Sequence, residues 1–256
     1  MAAGKAEPII HVNDFTAAYG DHVVVKDLTF EVLRGEVFII LGGSGSGKST
    51  VLKHMIGLYP PYKGDILLGG RSIVTAEGKD RIDILQSIGV MYQSGALFGN
   101  MTLLENTRLP MEEFTDLPQD AMELIATMKL SLVGLGDSTH LLPSEISGGM
   151  QKRAAIARAM ALDPEILFLD EPSAGLDPIT SADLDQLILR LSRTLGITFV
   201  VVTHELPSIF TIADRVIMLD KRVKGMVESG DPKHLRDHST NPWVRQFFNR
   251  EVESDS

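Results

Sequence analysis

The nine residues Gly42-Gly43-Ser44-Gly45-Ser46-Gly47-Lys48-Ser49-Thr50 carry the clearest chemical signal in the chain. They fit G-x-x-x-x-G-K-[ST], in which backbone N–H groups turn inward around phosphate oxygens and a following helix adds its positive dipole end. Lys48 is placed to reach the β- and γ-phosphates of a nucleotide, and the Ser49 hydroxyl to bind Mg²⁺. The plainer reading is a flexible Gly/Ser turn. The flanks argue against it, because an apolar run at 37–41 precedes the loop and a helical pattern at 51–56 follows it.

Four further sites have the right residue types. Asp170 and Glu171 end the apolar run at 166–169, as a buried parallel strand would present them. Asp170 would hold Mg²⁺, directly or through water, and Glu171 would polarise an attacking water. A solvated acidic turn is the alternative. Ser147-Gly148-Gly149 opens an Ala-rich helix over 150–162, with Ser147 as N-cap. Such a turn is either an ordinary cap or a second anion site. His204 follows the strand at 197–202, where it is either structural or a γ-phosphate sensor. Tyr19, closing the first strand region, is either a half-buried aromatic or a stacking partner for a base.

The elements that must carry these residues alternate. Strands are expected at 9–12, 22–25 and 28–32, with a hairpin of 66–68 and 71–74 around Gly69-Gly70. A strand at 88–92 leads into Gln93. Residues 101–143 are helical in period, with Met122, Ile125, Met128 and Leu132 on a stripe and Pro110, Pro118 and Pro143 as breaks. A helix over 180–195 has Leu184, Leu187, Ile188, Leu191 and Leu195 on one face and Gly196 at its end. Further segments lie at 215–220 and 223–228, then a polar tail with Trp243, Phe247 and Phe248. That aromatic group either packs on its own core or docks on a neighbour, and scattered surface aromatics favour the first.

Bulk composition sets limits. The 256 residues suffice for a large α/β domain with a subdomain. A formal charge of −10 argues against a general nucleic-acid binder. With no cysteine, disulfides, thiolate metal sites and cysteine nucleophiles are excluded. No apolar run approaches the ~20 residues that span a bilayer. Residues 1–8 lack the apolar core of a signal peptide. Work at a membrane would then need another chain to supply the span.

In this order the motifs resemble the nucleotide-binding subunit of ATP-binding-cassette (ABC) transporters, over roughly residues 9–230. Tyr19 matches the adenine-stacking position, 42–50 the phosphate loop and Gln93 the Q-loop. Ile146-Ser147-Gly148-Gly149-Met150 matches the signature, Leu169-Asp170-Glu171 the Walker B end, Ser173-Ala174-Gly175-Leu176-Asp177 the D-loop, and His204 the switch. The signature usually ends in Gln; here Met150 stands there, with Gln151 next to it.

The resemblance implies an α/β fold: a RecA-like P-loop core with an antiparallel β subdomain (1–93 and 151–230), an inserted α-helical subdomain (94–150) and a tail (231–256). It implies an ATPase using ATP and Mg²⁺, with Ser49, Gln93 and Asp170 toward the metal. It also implies a head-to-tail dimer with a second copy of the chain. There Ser147, Gly148, Gly149 and Asp177 of one copy meet the nucleotide held by Lys48 of the other.

Three stretches carry a narrower resemblance, to the ATPase of Mla-type lipid transporters: 93–98, 143–150 and 177–180. It implies a permease of MlaE type, an MCE-domain protein, a small STAS-type regulatory subunit, and a place on the cytoplasmic face of the bacterial inner membrane. No nucleic-acid partner is expected. The alternatives are a soluble ABC ATPase of iron–sulfur assembly and a cell-division-type ABC protein.

Overall fold

The computed structural model describes residues 7–250. The first six residues, most of the stretch lacking a signal-peptide core, and the last six of the tail lie outside the described residues. The chain divides into two compact units, one comprising residues up to Val74 and from Val201 onward, the other Thr75–Val200.

In the first unit, β1 (Pro8–Tyr19) pairs antiparallel with β2 (His22–Leu33) on one side and β4 (Lys63–Leu68) on the other. The short β5 (Arg71–Ser72) joins β4 through the Gly69-Gly70 turn, giving the order β2-β1-β4-β5. The strands expected at 22–25 and 28–32 are one continuous strand, β2, which runs through Lys26-Asp27. Asp14 and Asp27 take left-handed backbone angles at irregularities in the ladder, and each N–H bonds a threonine hydroxyl of the opposite strand, Thr29 and Thr16. The polar pair is a bulge within one strand rather than its end.

The strand β3 (Val37–Gly42) is wholly buried and delivers the phosphate loop to α1 (Lys48–Met55). It runs parallel to β9 (Arg215–Asp220), which pairs antiparallel with β10 (Gly225–Gly230). Buried Glu36 fixes this register by accepting two bonds from Arg215, at 2.8 and 2.9 Å, and one from the Leu33 N–H at 2.7 Å. The helix α7 (Leu206–Ile212) precedes β9, and the tail forms α8 (Pro232–His238) and α9 (Pro242–Asn249). Val244 and Phe248 of α9 are buried, with Phe248 against Phe210, so the tail packs on its own unit as the aromatic pattern favoured.

In the second unit, α2 (Gly78–Gln86) leads to β6 (Ile88–Met91), which pairs parallel with β7 (Ile166–Asp170). Between them lie α3 (Leu103–Phe114), α4 (Gln119–Leu132) and α5 (Gly148–Ala159). Pro110 was expected to break a helix, yet α3 runs through it. The helix forgoes the bond of one missing N–H. It is anchored upstream by a Thr102/Glu105 capping box and by fully buried Asn106, which bonds the backbone of Phe98, Met101 and Thr102.

On α4 the buried face is Met122, Ala126 and Leu130, whereas Met128 and Leu132 of the expected stripe are exposed. Met122 and Ala126 share a small core with Met111 and Ala161. The long α6 (Pro178–Leu195) buries Leu184, Leu187, Ile188 and Leu191, leaves Leu195 exposed, and ends on left-handed Gly196. The strand β8 (Thr198–Val202) then carries the chain back to the first unit.

Candidate functional site

The predicted residues fall in both units. Tyr19, residues 42–50 and His204 belong to the first; Gln93, Ser147, Gly148, Gly149, Asp170, Glu171 and Asp177 belong to the second.

In the first unit the loop leaves β3 at Gly42, whose φ is +151°. A Cβ there would lie 2.3 Å from the Leu219 carbonyl of β9, so only glycine lets the loop lie against the neighbouring strand. Left-handed Gly47 starts α1 without any side-chain cap, and no acid stands in the first turn. A helix N-terminus that starts on glycine, with no capping side chain and no acid beside it, is suited to an anion. Lys48 folds over the loop, its ammonium donating to the Gly42 and Gly43 carbonyls at 2.9 and 3.1 Å. Ser46 Oγ is buried with no hydrogen-bond partner among the described residues. Gly43, Ser44, Gly45, Ser49 and Thr50 are exposed or half-buried around these groups.

Tyr19 is half exposed and meets Tyr59 edge to face at 6.3 Å. Tyr59 in turn has its carbonyl bonded by His54 Nδ1 of α1 at 2.8 Å. Exposed His204 lines an open cavity of about 420 Å³ with Glu205, Leu206, Pro207, Phe247 and Arg250. Trp243 of α9 lies under Arg222 and beside Gly43, so the tail touches the phosphate loop.

In the second unit Ser147 caps α5 by accepting the Met150 N–H at 3.2 Å. The neighbouring Gln151 bonds the Ser147 carbonyl through its backbone N–H at 2.9 Å, while its side-chain amide donates to the Pro143 carbonyl at 2.8 Å and secures the approach to the helix. A Cβ on Gly149 would lie 2.4 Å from Thr180 Cγ2 at the start of α6. Asp177 caps α6, accepting from the N–H groups of Ile179 and Thr180 and, at 2.5 Å, from the Thr180 hydroxyl. The Thr180 hydroxyl first, and then these N–H groups, hold the Asp177 carboxyl below the usual range. The signature turn and the D-loop cap thus meet through Thr180.

Asp170 ends β7, and Glu171 follows with a left-handed φ of 47°. A glutamate in that region is uncommon, and strained residues of this kind gather at functional sites. Gln93 receives, on its carbonyl, the ammonium of Lys152 from α5. Burial pushes this lysine below its ordinary range, while the charges of Glu171 and Asp170 push the other way. Arg158 of the same helix donates to the carbonyls of Gly95 and Ala96 at 2.8 and 2.7 Å. Neither cation carried a sequence signal, since Lys and Arg in a helix ordinarily read as solvated.

The loop fits a polyphosphate on three observations: the uncapped helix start, the buried and partnerless Ser46 hydroxyl, and the lysine in its mouth. The predicted metal donors are a hydroxyl, an amide and a carboxylate, the hard oxygen set that suits Mg²⁺. Among the described residues no group of three or more His, Cys, Asp and Glu could hold an ion. Nor is any helix among them long and apolar enough to cross a membrane.

Residues 25–174 match the family model described as "ABC transporter". The "Probable ribonucleotide transport ATP-binding protein mkl" of Mycobacterium tuberculosis is 42% identical over 240 residues, 94% of this chain and 66% of that protein. This chain therefore spans just under two thirds of that relative. The "Intermembrane phospholipid transport system ATP-binding protein MlaF" of Escherichia coli is 37% identical over 241 residues, 94% of this chain and 88% of that one. Among solved structures, the ATP-binding cassette MJ0796, a dimer in a post-hydrolysis state with ADP and Pi, superposes with a TM-score of 0.77. It is 28% identical and covers 87% of this chain and 98% of that one. The chain belongs to the ABC transporter family and has the mixed α/β fold of its ATP-binding cassettes.

Proposed function

We propose that the chain is the ATP-hydrolysing subunit of an ABC transporter that drives phospholipid through a separate permease at the cytoplasmic face of a bacterial inner membrane. The observation that carries the ATPase reading is the phosphate loop, with its uncapped helix start and buried Ser46 hydroxyl, in a chain of this family. The cargo rests on the likeness to a protein named for phospholipid transport. Both relatives are named as transport ATP-binding proteins, which favours a transporter over iron–sulfur assembly or cell division.

The roles follow from the residues. The loop N–H groups and Lys48 bind the β- and γ-phosphates, and Tyr19 stacks on the base. Binding draws the Lys48 ammonium from the Gly42 and Gly43 carbonyls onto phosphate oxygens of greater charge. Glu171 accepts a proton from the attacking water, and His204 steadies the γ-phosphate. Ser49, Gln93 and Asp170 would hold Mg²⁺, which neutralises charge on the phosphates. Ser147, Gly148, Gly149 and Asp177 present their turn to the nucleotide of a second copy, head to tail. ATP then favours the closed dimer because it binds both halves, and hydrolysis removes that preference.

In this reading residues 1–93 and 151–230 form the ATP-binding core, 94–150 the helical subdomain and 231–256 the tail. The groove near residues 93–105 receives the permease of MlaE type. An MCE-domain protein and a STAS-type subunit complete the assembly.

The test is reconstitution with the permease in vesicles carrying a fluorescent phospholipid. ATP-dependent movement of lipid, abolished by Lys48→Ala, is expected. ATP-driven movement of ribonucleotide instead would give this chain the cargo for which the mycobacterial relative is named.

A further inference from the structure

The side chain of Lys152 is buried on α5, five residues beyond the Ser147 cap. A buried ammonium is costly unless its donors and its charge are met. Here its donor partner is a backbone carbonyl, that of Gln93, at the point where the chain leaves β6. Its compensating charges are the carboxylates of Glu171 and Asp170 at the end of β7. One cation thus answers to three places: the signature helix that bears it, the glutamine segment, and the acidic strand end.

The same helix grips the glutamine segment again. Arg158 donates to two further carbonyls, those of Gly95 and Ala96, and Ala155 lies 3.5 Å from where a Gly95 Cβ would be. Ala96 is held in a left-handed conformation, φ 49°. Within the segment the Gly95 N–H bonds the Tyr92 carbonyl at 2.7 Å, closing a turn. Three carbonyls of the segment, those of Gln93, Gly95 and Ala96, are therefore held by α5.

We propose that Lys152 is a positioning residue for hydrolysis: it latches the Gln93 carbonyl to the signature helix and balances the carboxylates of Asp170 and Glu171. Rotation of the signature helix then moves Gln93 with it, and the acidic strand end feels the movement through the lysine charge. Met or Gln at this position would fill the space without that charge. Arg would keep the charge and can still reach a carbonyl. The turnover consequence rests on the ATPase reading above; the latch itself does not.

The experiment compares wild type, Lys152→Met and Lys152→Arg in two measurements. Amide hydrogen exchange of residues 92–98 in the nucleotide-free protein reads the latch: about tenfold faster exchange at Gly95 is expected for Met and near wild-type exchange for Arg. ATP turnover and the Kd for a fluorescent ATP analogue read the consequence: about a tenfold loss of kcat with Kd within about twofold is expected for Met, and recovery to within about threefold for Arg. Unchanged exchange in Lys152→Met overturns the latch. Wild-type kcat in Lys152→Met, or an Arg variant no better than Met, overturns the positioning role. If wild type binds and hydrolyses no ATP, the function fails while the exchange result still decides the latch. Lys152→Leu, which also lacks a donor, replaces Met in both arms if the Met variant does not fold.

Discussion

Thr180 holds Gly149 to glycine. Its hydroxyl is tied to Asp177, so its methyl cannot rotate away from an added Cβ without breaking that bond. Gly149→Ala is therefore expected to cost about 1–3 kcal/mol through overpacking. It should also misplace the Ser147 turn and so lower ATP turnover. Denaturant unfolding together with turnover checks this, and a variant with wild-type values in both would remove Gly149 from the site. The same scale shows what Met150 changes. The cap is made by Ser147 Oγ on the backbone N–H of residue 150, a bond that any residue there but proline permits. Glu171 is the other residue whose conformation is itself informative, since its φ of 47° is maintained at the end of a buried strand.

At the scale of the element, α1 links the phosphate loop to the aromatic pair near Tyr19. His54 is buried on this helix against Phe15, at 5.2 Å, and its Nδ1 faces the Tyr59 carbonyl. A carbonyl only accepts, so Nδ1 carries the hydrogen and Nε2 keeps a lone pair, buried without a partner among the described residues. Charging that nitrogen would bury an unsatisfied donor. Burial accordingly lowers the His54 pKa, and the Tyr59 bond opposes it more weakly.

The unfolded chain then takes up a proton near pH 6.5 that the folded chain resists. The full contribution of neutral His54 is present above about pH 6.5 and is lost progressively as pH falls toward the lowered folded value. Thermal midpoints from pH 8 to pH 5 should decline more steeply for wild type than for His54→Met. Parallel profiles would mean that His54 titrates as freely folded as unfolded.

How much was legible in the sequence follows the same division. The phosphate loop, the Ser147 cap and the Gly196 stop are local, each decided by neighbours within a few residues, and each is legible as an element boundary; the Asp177 cap is not, since the expected helix begins at Thr180 and α6 begins at Pro178. The continuity of β2 was not legible, because it depends on Thr16 across the ladder. Nor was the passage of α3 through Pro110, which is anchored by Asn106, or the half-exposed stripe of α4. Lys152 and Arg158 were invisible because their partners are backbone carbonyls about sixty residues away, which carry no side-chain signature.

At the scale of the whole molecule, the account turns on one chain supplying the phosphate loop and another the signature turn. The face around Ser147 and Gly148 is exposed in the single chain, and the Ser147 side chain takes up only the Met150 N–H of its glycine-bearing turn, which leaves the start of α5 suited to an anion. If ATP joins two copies there, blocking hydrolysis without touching binding should trap the joined state. Glu171→Gln keeps the shape of the side chain and removes its basicity. The most direct measurement is the mass of purified Glu171→Gln in solution by light scattering, with and without ATP and Mg²⁺, alongside its ATPase rate. The account predicts an ATP-bound dimer that persists, with turnover reduced at least about a hundredfold. A monomer that keeps wild-type turnover would contradict both the role of Glu171 and the ATP-operated clamp.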